Sequence, residues 1–185
     1  AQDVGKFLKH HVKDAKMQKL LNFNYKILIL NSLIVILIFS LDRTSKLYLL
    51  NLAEEGVLIN FYIFSFLNVF LTWNTGIGFG LFSFDSGFIY NLISILIGII
   101  NLVIIFMAIN MQNINRYFLL IILGGSLGNF FDRIYYSAVP DFLDLHIGDF
   151  HWFIFNIADV FISIGILCLI FVEIFGKNIN KGKNE

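Results

Sequence analysis

Two aspartates, Asp141 and Asp159, stand 18 residues apart in a stretch crowded with aromatic side chains. Asp141 follows Pro140 in a polar connection, and Asp159 lies about seven residues inside an apolar run. If the connection turns back, the two carboxyl groups share a site, and one of them keeps its proton because both cannot ionise comfortably. Such a pair supplies an acid and a base, which can activate water against an amide. Alternatively, each aspartate is separately hydrogen-bonded, to backbone or to Arg133.

Further polar residues lie at the ends of apolar runs, where unpaired charges cost free energy. Asp42 and Lys46 are four residues apart on one helical face, where an ion pair at a helix end contributes only about a few tenths of a kcal/mol. Asn129 and Asp132 also share a face, and Arg133 follows them. The Arg133 guanidinium suits a carboxylate or phosphate, or else extends to lipid headgroups and anchors the helix.

Metal and serine chemistry have weaker support in the sequence. His146 and His151 lie near Asp144 and Asp149 in an expected loop, a set that could in principle bind zinc. Loop histidines beside aromatic residues are more commonly interfacial, so no metal site is predicted. Ser126 has no histidine near it in sequence, so an activated serine is not predicted either.

The chain that carries these residues is too apolar for a soluble domain. Its 185 residues are 58% hydrophobic and 14% charged, with 22 Phe and one Pro. This composition leaves too little polar surface to solvate a globule, so an integral membrane protein is predicted. The formal net charge is zero, and nothing indicates nucleic acid as a partner.

Four apolar runs are long enough, or nearly so, to cross a membrane as helices. They are predicted at about residues 27–41, 88–109, 117–131 and 152–175. The third contains Gly124, Gly125 and Gly128, which let helix backbones approach closely and predict a central position in the bundle. A fifth run, residues 57–73, is interrupted by asparagines and rich in β-branched and aromatic residues, so strands are predicted there.

Charge predicts how the spans are oriented. With four spans, ten of the thirteen Lys and Arg residues fall on one side, which the positive-inside rule assigns to the cytoplasm. These ten are Lys6, Lys9, Lys13, Lys16, Lys19, Lys26, Arg116, Lys177, Lys181 and Lys183. Both termini are therefore predicted to be cytoplasmic, as an N-terminal segment at 1–25 and a basic tail at 176–185. Residues 1–16 are either an amphipathic helix or a leader added for expression.

Read together, the polar clusters resemble the motifs of signal peptidase II, the bacterial lipoprotein signal peptidase. They are DRTSK (42–46), WNTGIGFG (73–80), GGSLGNFFDR (124–133), VPDF (139–142) and FNIAD (155–159), in the family's order and at compatible spacing. The resemblance covers about residues 26–175 and implies a single, mainly α-helical peptidase domain embedded in the membrane. It implies four transmembrane helices, an extracytoplasmic sheet at about 47–86 that cradles the substrate, and an amphipathic interfacial segment.

The resemblance also implies residue roles. Asp141 and Asp159 would form the catalytic dyad of an aspartyl endopeptidase, whereas Asp132 would be structural. The supporting residues would be Asn74, Asn129, Arg133, Asn156, Asp42 and Lys46. The chain departs from the family pattern at Pro140, where an aliphatic residue is expected, and in WFIFN, which lacks the expected proline. Both departures concern loop geometry rather than chemistry.

The implied activity is removal of signal peptides from prolipoproteins, with cleavage before a diacylglyceryl-modified cysteine at the outer face of the bacterial inner membrane. The implied partners are these prolipoproteins, membrane lipids and cyclic-peptide inhibitors such as globomycin, without a metal or cofactor. From the residues alone two other classes stay open. A small proton-coupled transporter also uses membrane aspartates, although nearer mid-bilayer. A lipopeptide-binding membrane protein would bind the same ligand without cleaving it.

Overall fold

Four helices and a small sheet make up the computed structural model, which describes residues 2–76 and 87–181, with side chains at 25–76 and 87–175. The helices are α1 (Gln2–Glu54), α2 (Gly87–Asn110), α3 (Asn115–Tyr136) and α4 (Ile157–Lys181). Each contains a segment long and apolar enough to cross a membrane, namely Tyr25–Glu54, Gly87–Asn110, Asn115–Tyr136 and Ile157–Phe175. Large apolar side chains such as Leu37, Ile109 and Leu167 are exposed on them, as expected where lipid is the neighbour.

The first helix ends later than predicted. α1 continues beyond residue 41 through DRTSK to Glu54, so residues 47–54 are helical rather than part of the sheet region. The charged residues do not end the helix because Asp42, Arg43 and Lys46 are buried and paired rather than exposed at its end. The chain forms two compact units: Ala1–Leu33 holds the N-terminal part of α1, and Ile34–Glu185 holds the rest of α1 and the other elements.

The run at 57–73 forms strands, as predicted, and not a fifth span. β1 (Asn60–Phe64), β2 (Leu67–Asn74), β3 (Val139–Ile147) and β4 (Phe150–Phe155) form one antiparallel sheet in the order β1-β2-β3-β4. The register pairs Asn74 with Val139 and Thr72 with Asp141. The end of β2 therefore lies beside the start of β3, where the first candidate aspartate stands.

The last helix begins later than predicted. Residues 152–155 belong to β4, and α4 starts at Ile157. An apolar aromatic run suits a buried strand as well as a helix, and pairing with β3 decides in favour of the strand. Asp159 consequently lies in the first turn of α4 and not about seven residues inside the span.

α3 is the central helix, as its glycines predict. A Cβ atom at Gly124 would lie 2.8 Å from Ile38 Cβ of α1, and one at Gly125 would lie 2.5 Å from the Ala158 carbonyl oxygen of α4. On a third side, Gly98 of α2 faces the ring of Phe130. Side chains larger than hydrogen would force the helices apart at these contacts.

Several sequence-based expectations are not tested by this architecture. The amphipathic segment was expected together with the sheet within residues 57–84, of which residues 77–84 lie outside the described residues, so it stays a prediction. The division into an N-terminal segment, a peptidase domain and a basic tail stays a prediction, as do both interpretations of residues 1–16.

Candidate active site

Asp141 is held near the start of β3 by two asparagine side chains. Its carboxyl group is buried, with the residue 1% exposed. Asn74 Nδ2 donates to Oδ2 at 2.8 Å, and Asn156 Nδ2 donates to Oδ1 at 2.6 Å. The Gly76 N–H donates to Asn74 Oδ1 at 2.8 Å, which orients the amide so that its Nδ2 faces the carboxyl group. The pairing of β2 with β3 thus positions the Asn74 donor, and the connection between β4 and α4 positions the Asn156 donor.

The environment of Asp141 favours its protonated form more than water does. Burial raises the pKa of the Asp141 carboxyl above its ordinary value because desolvation penalises the charged form. The hydrogen bonds from Asn74 and Asn156 oppose the rise in pKa, as do the charges of Lys46 and Arg133. Asp141 therefore keeps its proton to a higher pH than an exposed aspartate.

Asp159 is fixed by a reciprocal pair of hydrogen bonds at the start of α4. Its N–H donates to Asn156 Oδ1, and the Asn156 N–H donates to Asp159 Oδ2, each at 3.2 Å. This arrangement is a capping box, which satisfies N–H groups that a helix start leaves unpaired. Because Asn156 also donates to Asp141, one residue links both candidate catalytic aspartates.

Asn129 of α3 connects Asp159 to a lysine of α1. Its Nδ2 donates to Asp159 Oδ1, and its Oδ1 accepts from Lys46 Nζ, both at 2.8 Å. Since Lys46 can only donate, it dictates which end of the Asn129 amide faces Asp159. Lys46 therefore orients the site without bordering it.

Behind Asn129 lies a buried cluster of two aspartates and two cations. Lys46 Nζ donates to Asp42 Oδ2 and Asp132 Oδ2, both at 2.7 Å, and Asp132 also pairs with Arg43. Asp42, Lys46 and Asp132 are 0% exposed. The small contribution expected for a helix-end ion pair therefore does not apply, because loss of one partner would leave a buried charge uncompensated. These contacts support the predicted structural role of Asp132.

Arg133 is buried at 4% exposure and does not extend toward headgroups. Its guanidinium carbon lies 5.3 Å from the centroid of the Tyr90 ring, and its Nη2 donates to the Gly76 carbonyl oxygen. Its Nε and Nη1 have no hydrogen-bond partner within residues 25–76 and 87–175. These two donors are available to a carbonyl or an oxyanion bound next to them.

A cavity of about 260 Å³ brings most of the predicted site residues together. Its lining includes Asp141, Asp159, Asn74, Asn129, Arg133 and Asn156. Asp42 and Lys46 do not line it, but they act on it through Asn129 and α4, and the charge of Lys46 also lowers the pKa of Asp141. The apolar part of its wall includes Ile97 of α2 and Ile162 of α4. The cavity therefore combines groups for acid–base chemistry with walls suited to an apolar chain.

The predicted site residues did not include six that line the cavity: Ile97, Ser126, Val139, Ile162, Ser163 and Ile166. Helical spacing contained a signal for the serines, because Ser126 precedes Asn129 by three positions and Ser163 follows Asp159 by four. Ile97 had no comparable signal, since only the packing of α2 against α3 puts it beside the cavity.

The residues considered for zinc lie elsewhere: three of them are on strands, and Asp149 is in the turn between β3 and β4. Asp144 and His146 belong to β3, and His151 belongs to β4. His151 Nδ1 lies 2.9 Å and 2.8 Å from the two Asp144 carboxylate oxygens, which makes them a cross-strand pair. In the part of the chain that the structure describes, no group of three or more His, Cys, Asp and Glu side chains could hold a metal ion.

Known proteins resemble this chain in both sequence and structure. A sequence model of signal peptidase (SPase) II matches residues 34–175. The lipoprotein signal peptidase of Pelagibacter ubique (strain HTCC1062) is 57% identical over 162 residues, covering 88% of this chain and 96% of that protein. The lipoprotein signal peptidase of Anaplasma marginale (strain Florida) is 34% identical over 142 residues, covering 76% and 81%. A solved bacterial membrane enzyme matches with a TM-score of 0.65 at 27% identity, covering 82% of this chain and 90% of that one.

Proposed function

The chain belongs to the signal peptidase II family of membrane aspartic peptidases, and on that basis we propose that Asp141 and Asp159 are its catalytic dyad. The protein removes signal peptides from prolipoproteins and is a multi-pass protein of the bacterial inner membrane. One observation carries the dyad proposal: Asn156 donates to Asp141 and exchanges hydrogen bonds with Asp159 at a shared cavity.

In the proposed mechanism the two aspartates share one proton. The ionised aspartate takes a proton from water as the water oxygen bonds to the carbonyl carbon of the scissile amide, and the protonated aspartate donates to the carbonyl oxygen. The proton taken from water then passes to the amine nitrogen as the C–N bond breaks. The proton on the former carbonyl oxygen returns to the dyad, which restores its starting state.

The neighbouring side chains would orient the substrate and stabilise developing charge. Arg133 lines the same cavity, and its Nε and Nη1 have no hydrogen-bond partner among the described residues. A positioned donor of this kind is worth about 2.7–4 kcal/mol of transition-state stabilisation in comparable sites. Asn74 and Asn129 hold the two carboxyl groups, and Lys46 fixes Asn129.

The substrate proposed for this site is a prolipoprotein whose cysteine carries a diacylglyceryl group, and cleavage occurs before that cysteine. The lipid anchor would hold the scissile bond at the depth of the dyad, next to the apolar helix ends. The excess of Lys and Arg in the terminal segments supports cytoplasmic termini and an active site on the outer side. Membrane lipids would surround the spans, and a cyclic peptide such as globomycin would compete for the cavity.

A gel-shift cleavage assay on a diacylglyceryl-modified prolipoprotein tests this proposal. The intact enzyme should cleave before the lipidated cysteine, whereas folded Asp141→Asn and Asp159→Asn variants should lose at least about 10²-fold in rate. Asp144→Asn is the matched control, because Asp144 is an equally buried aspartate of β3 that does not line the cavity. Cleavage surviving either dyad substitution would remove that aspartate from the centre. Binding of the substrate without cleavage by the intact protein would favour a lipopeptide-binding function.

A further inference from the structure

Asn101 is a buried polar residue in the middle of α2, a span with a mean hydropathy of 3.0. The residue is 3% exposed, and neither its Oδ1 nor its Nδ2 has a hydrogen-bond partner among the described residues. A buried carboxamide without hydrogen-bond partners is costly, so a bound ligand that supplied those partners would gain affinity from it. Any hydrogen-bond partner of the Asn101 side chain is therefore a group other than the described residues, such as a bound substrate.

Helical spacing puts Asn101 next to the active-site cavity. It follows Ile97, which lines the cavity, by four residues and so lies about one helical turn, 5.4 Å, farther along the same face. Tyr90 Oη donates to the Arg133 carbonyl oxygen at 3.2 Å, and Gly98 faces Phe130. These contacts make α2 antiparallel to α3, and they set Asn101 opposite the turn of α3 that contains Ser126.

Three helices thus contribute one polar side chain each at a common depth. Ser126 of α3 lies three residues before Asn129, and Ser163 of α4 lies four residues after Asp159; both serines line the cavity. Asn101, Ser126 and Ser163 are called the polar tier below. Relative to the dyad, the polar tier lies one helical turn nearer the middle of the bilayer.

The chemistry of the substrate indicates which groups the polar tier could hydrogen-bond. Acid–base attack on an amide needs the carbonyl exposed, so a membrane-spanning signal segment must unwind near its cleavage site. Unwinding leaves backbone N–H and C=O groups without partners in hydrocarbon, where each costs several kcal/mol. A carboxamide and two hydroxyl groups can both donate to and accept from such groups.

Resting on the proposed function, we propose that the polar tier hydrogen-bonds the unwound backbone of the signal segment just N-terminal to the scissile bond. Four helical residues from Asp159 to Ser163 span about 6 Å, which an extended chain covers in about two residues. The contacts therefore fall about two to three residues before the cleavage site. On binding, the Asn101 side chain turns toward the cavity past Ile97 and gains partners that no described residue supplies.

The test compares Asn101→Leu with the intact full-length enzyme in detergent micelles. Leucine has the same branched arrangement of side-chain heavy atoms as asparagine but cannot hydrogen-bond. With a prolipoprotein carrying its whole signal segment, kcat/KM should fall about tenfold, the loss of roughly one hydrogen bond, mainly through a higher KM. A lipopeptide truncated one residue before the scissile bond, used as a competitor, should inhibit both enzymes with the same Ki. Asn101→Ser should recover part of the lost kcat/KM.

Asn110→Leu is the matched control, since Asn110 is an exposed asparagine of the same helix whose Nδ2 donates to the Phe106 carbonyl oxygen. It should keep the intact kcat/KM, and Asn101→Leu should unfold at a temperature no lower than the intact enzyme. An unchanged kcat/KM in Asn101→Leu, a fall in kcat at constant KM, or a weakened Ki for the truncated competitor would each overturn the inference. Failure of the intact enzyme to cleave would instead contradict the proposed function.

Discussion

Asp42 of α1 accepts a hydrogen bond from the Ala158 N–H of α4, with 3.0 Å between Oδ1 and the nitrogen. The two residues are 116 positions apart in the chain. Ala158 lies in the first turn of α4, where N–H groups have no partner within the helix. Asp42, which belongs to α1, therefore caps the first turn of α4, the turn that carries Asp159. Asp42 thus supports the active site although it does not line the cavity.

Gly128→Ala should disrupt this cap. A Cβ atom at Gly128 would lie 2.4 Å from Asp42 Oδ2, so the carboxylate has to move. We expect a loss of about 1–3 kcal/mol of stability, as for other overpacked sites, together with slower cleavage. Thermal unfolding in detergent and kcat/KM measure the two effects. Gly87→Ala is the control, because a Cβ atom there meets no atom within 4 Å. Intact stability and rate in Gly128→Ala would show that the cap is dispensable.

Asp132→Asn should lower stability more than the intrinsic rate. Asp132 is 0% exposed and pairs with both Arg43 and Lys46, so its neutralisation leaves buried positive charge uncompensated. We expect a cost of about 3 kcal/mol, seen as a lower unfolding temperature and lower yield. The exposed Asp149 provides the control, since Asp149→Asn should leave stability unchanged. A well-folded Asp132→Asn variant as inactive as the dyad variants would contradict the structural role of Asp132.

Two substitutions at Asn156 should separate its capping role from its role in catalysis. Asn156→Ser keeps a good helix-capping residue but removes the amide donor to Asp141, so stability should hold while kcat falls about 10- to 100-fold. Asn156→Ala removes both functions and should cost about 1 kcal/mol of stability in addition. Steady-state kinetics and thermal unfolding of the pair measure these effects. If Asn156→Ser cleaves at the intact rate, the link between the two aspartates is not needed for catalysis.

The pKa of Asp141 predicts how stability depends on pH. Because burial raises this pKa in the folded state, the folded protein binds more protons than the unfolded one between the two pKa values. The stabilisation is fully present below about pH 4, the unfolded pKa, and is lost as pH rises through the folded pKa. Relative to Asp141→Asn, the intact enzyme should therefore have a lower unfolding temperature as pH rises above about 4.

Asp149→Asn serves as the reference for this pH series, because Asp149 is exposed. Its unfolding temperature should follow that of the intact enzyme across the series. A constant difference between the intact enzyme and Asp141→Asn at every pH would show that folding leaves the Asp141 pKa where it is in the unfolded chain.

The sequence by itself determined the membrane class, the four spans and the choice of strands at 57–73. These features depend on local composition, since a long apolar run must be helical in lipid and a β-branched, aromatic run with asparagines fits a sheet better. The glycines of α3 also predicted that this helix is central in the bundle, because only small residues permit such close helix contacts. The candidate aspartates and asparagines were likewise visible as motifs at compatible spacing.

The tertiary structure alone decided how far the helices extend and what each polar residue contacts. α1 passes through DRTSK because Asp132, 86 residues from Lys46, helps to neutralise the charges there. α4 begins only at Ile157 because the preceding aromatic run pairs with β3. Neither helix boundary can be predicted from the local sequence. The burial of a charge and the formation of a strand both depend on partners that only folding brings within hydrogen-bonding distance.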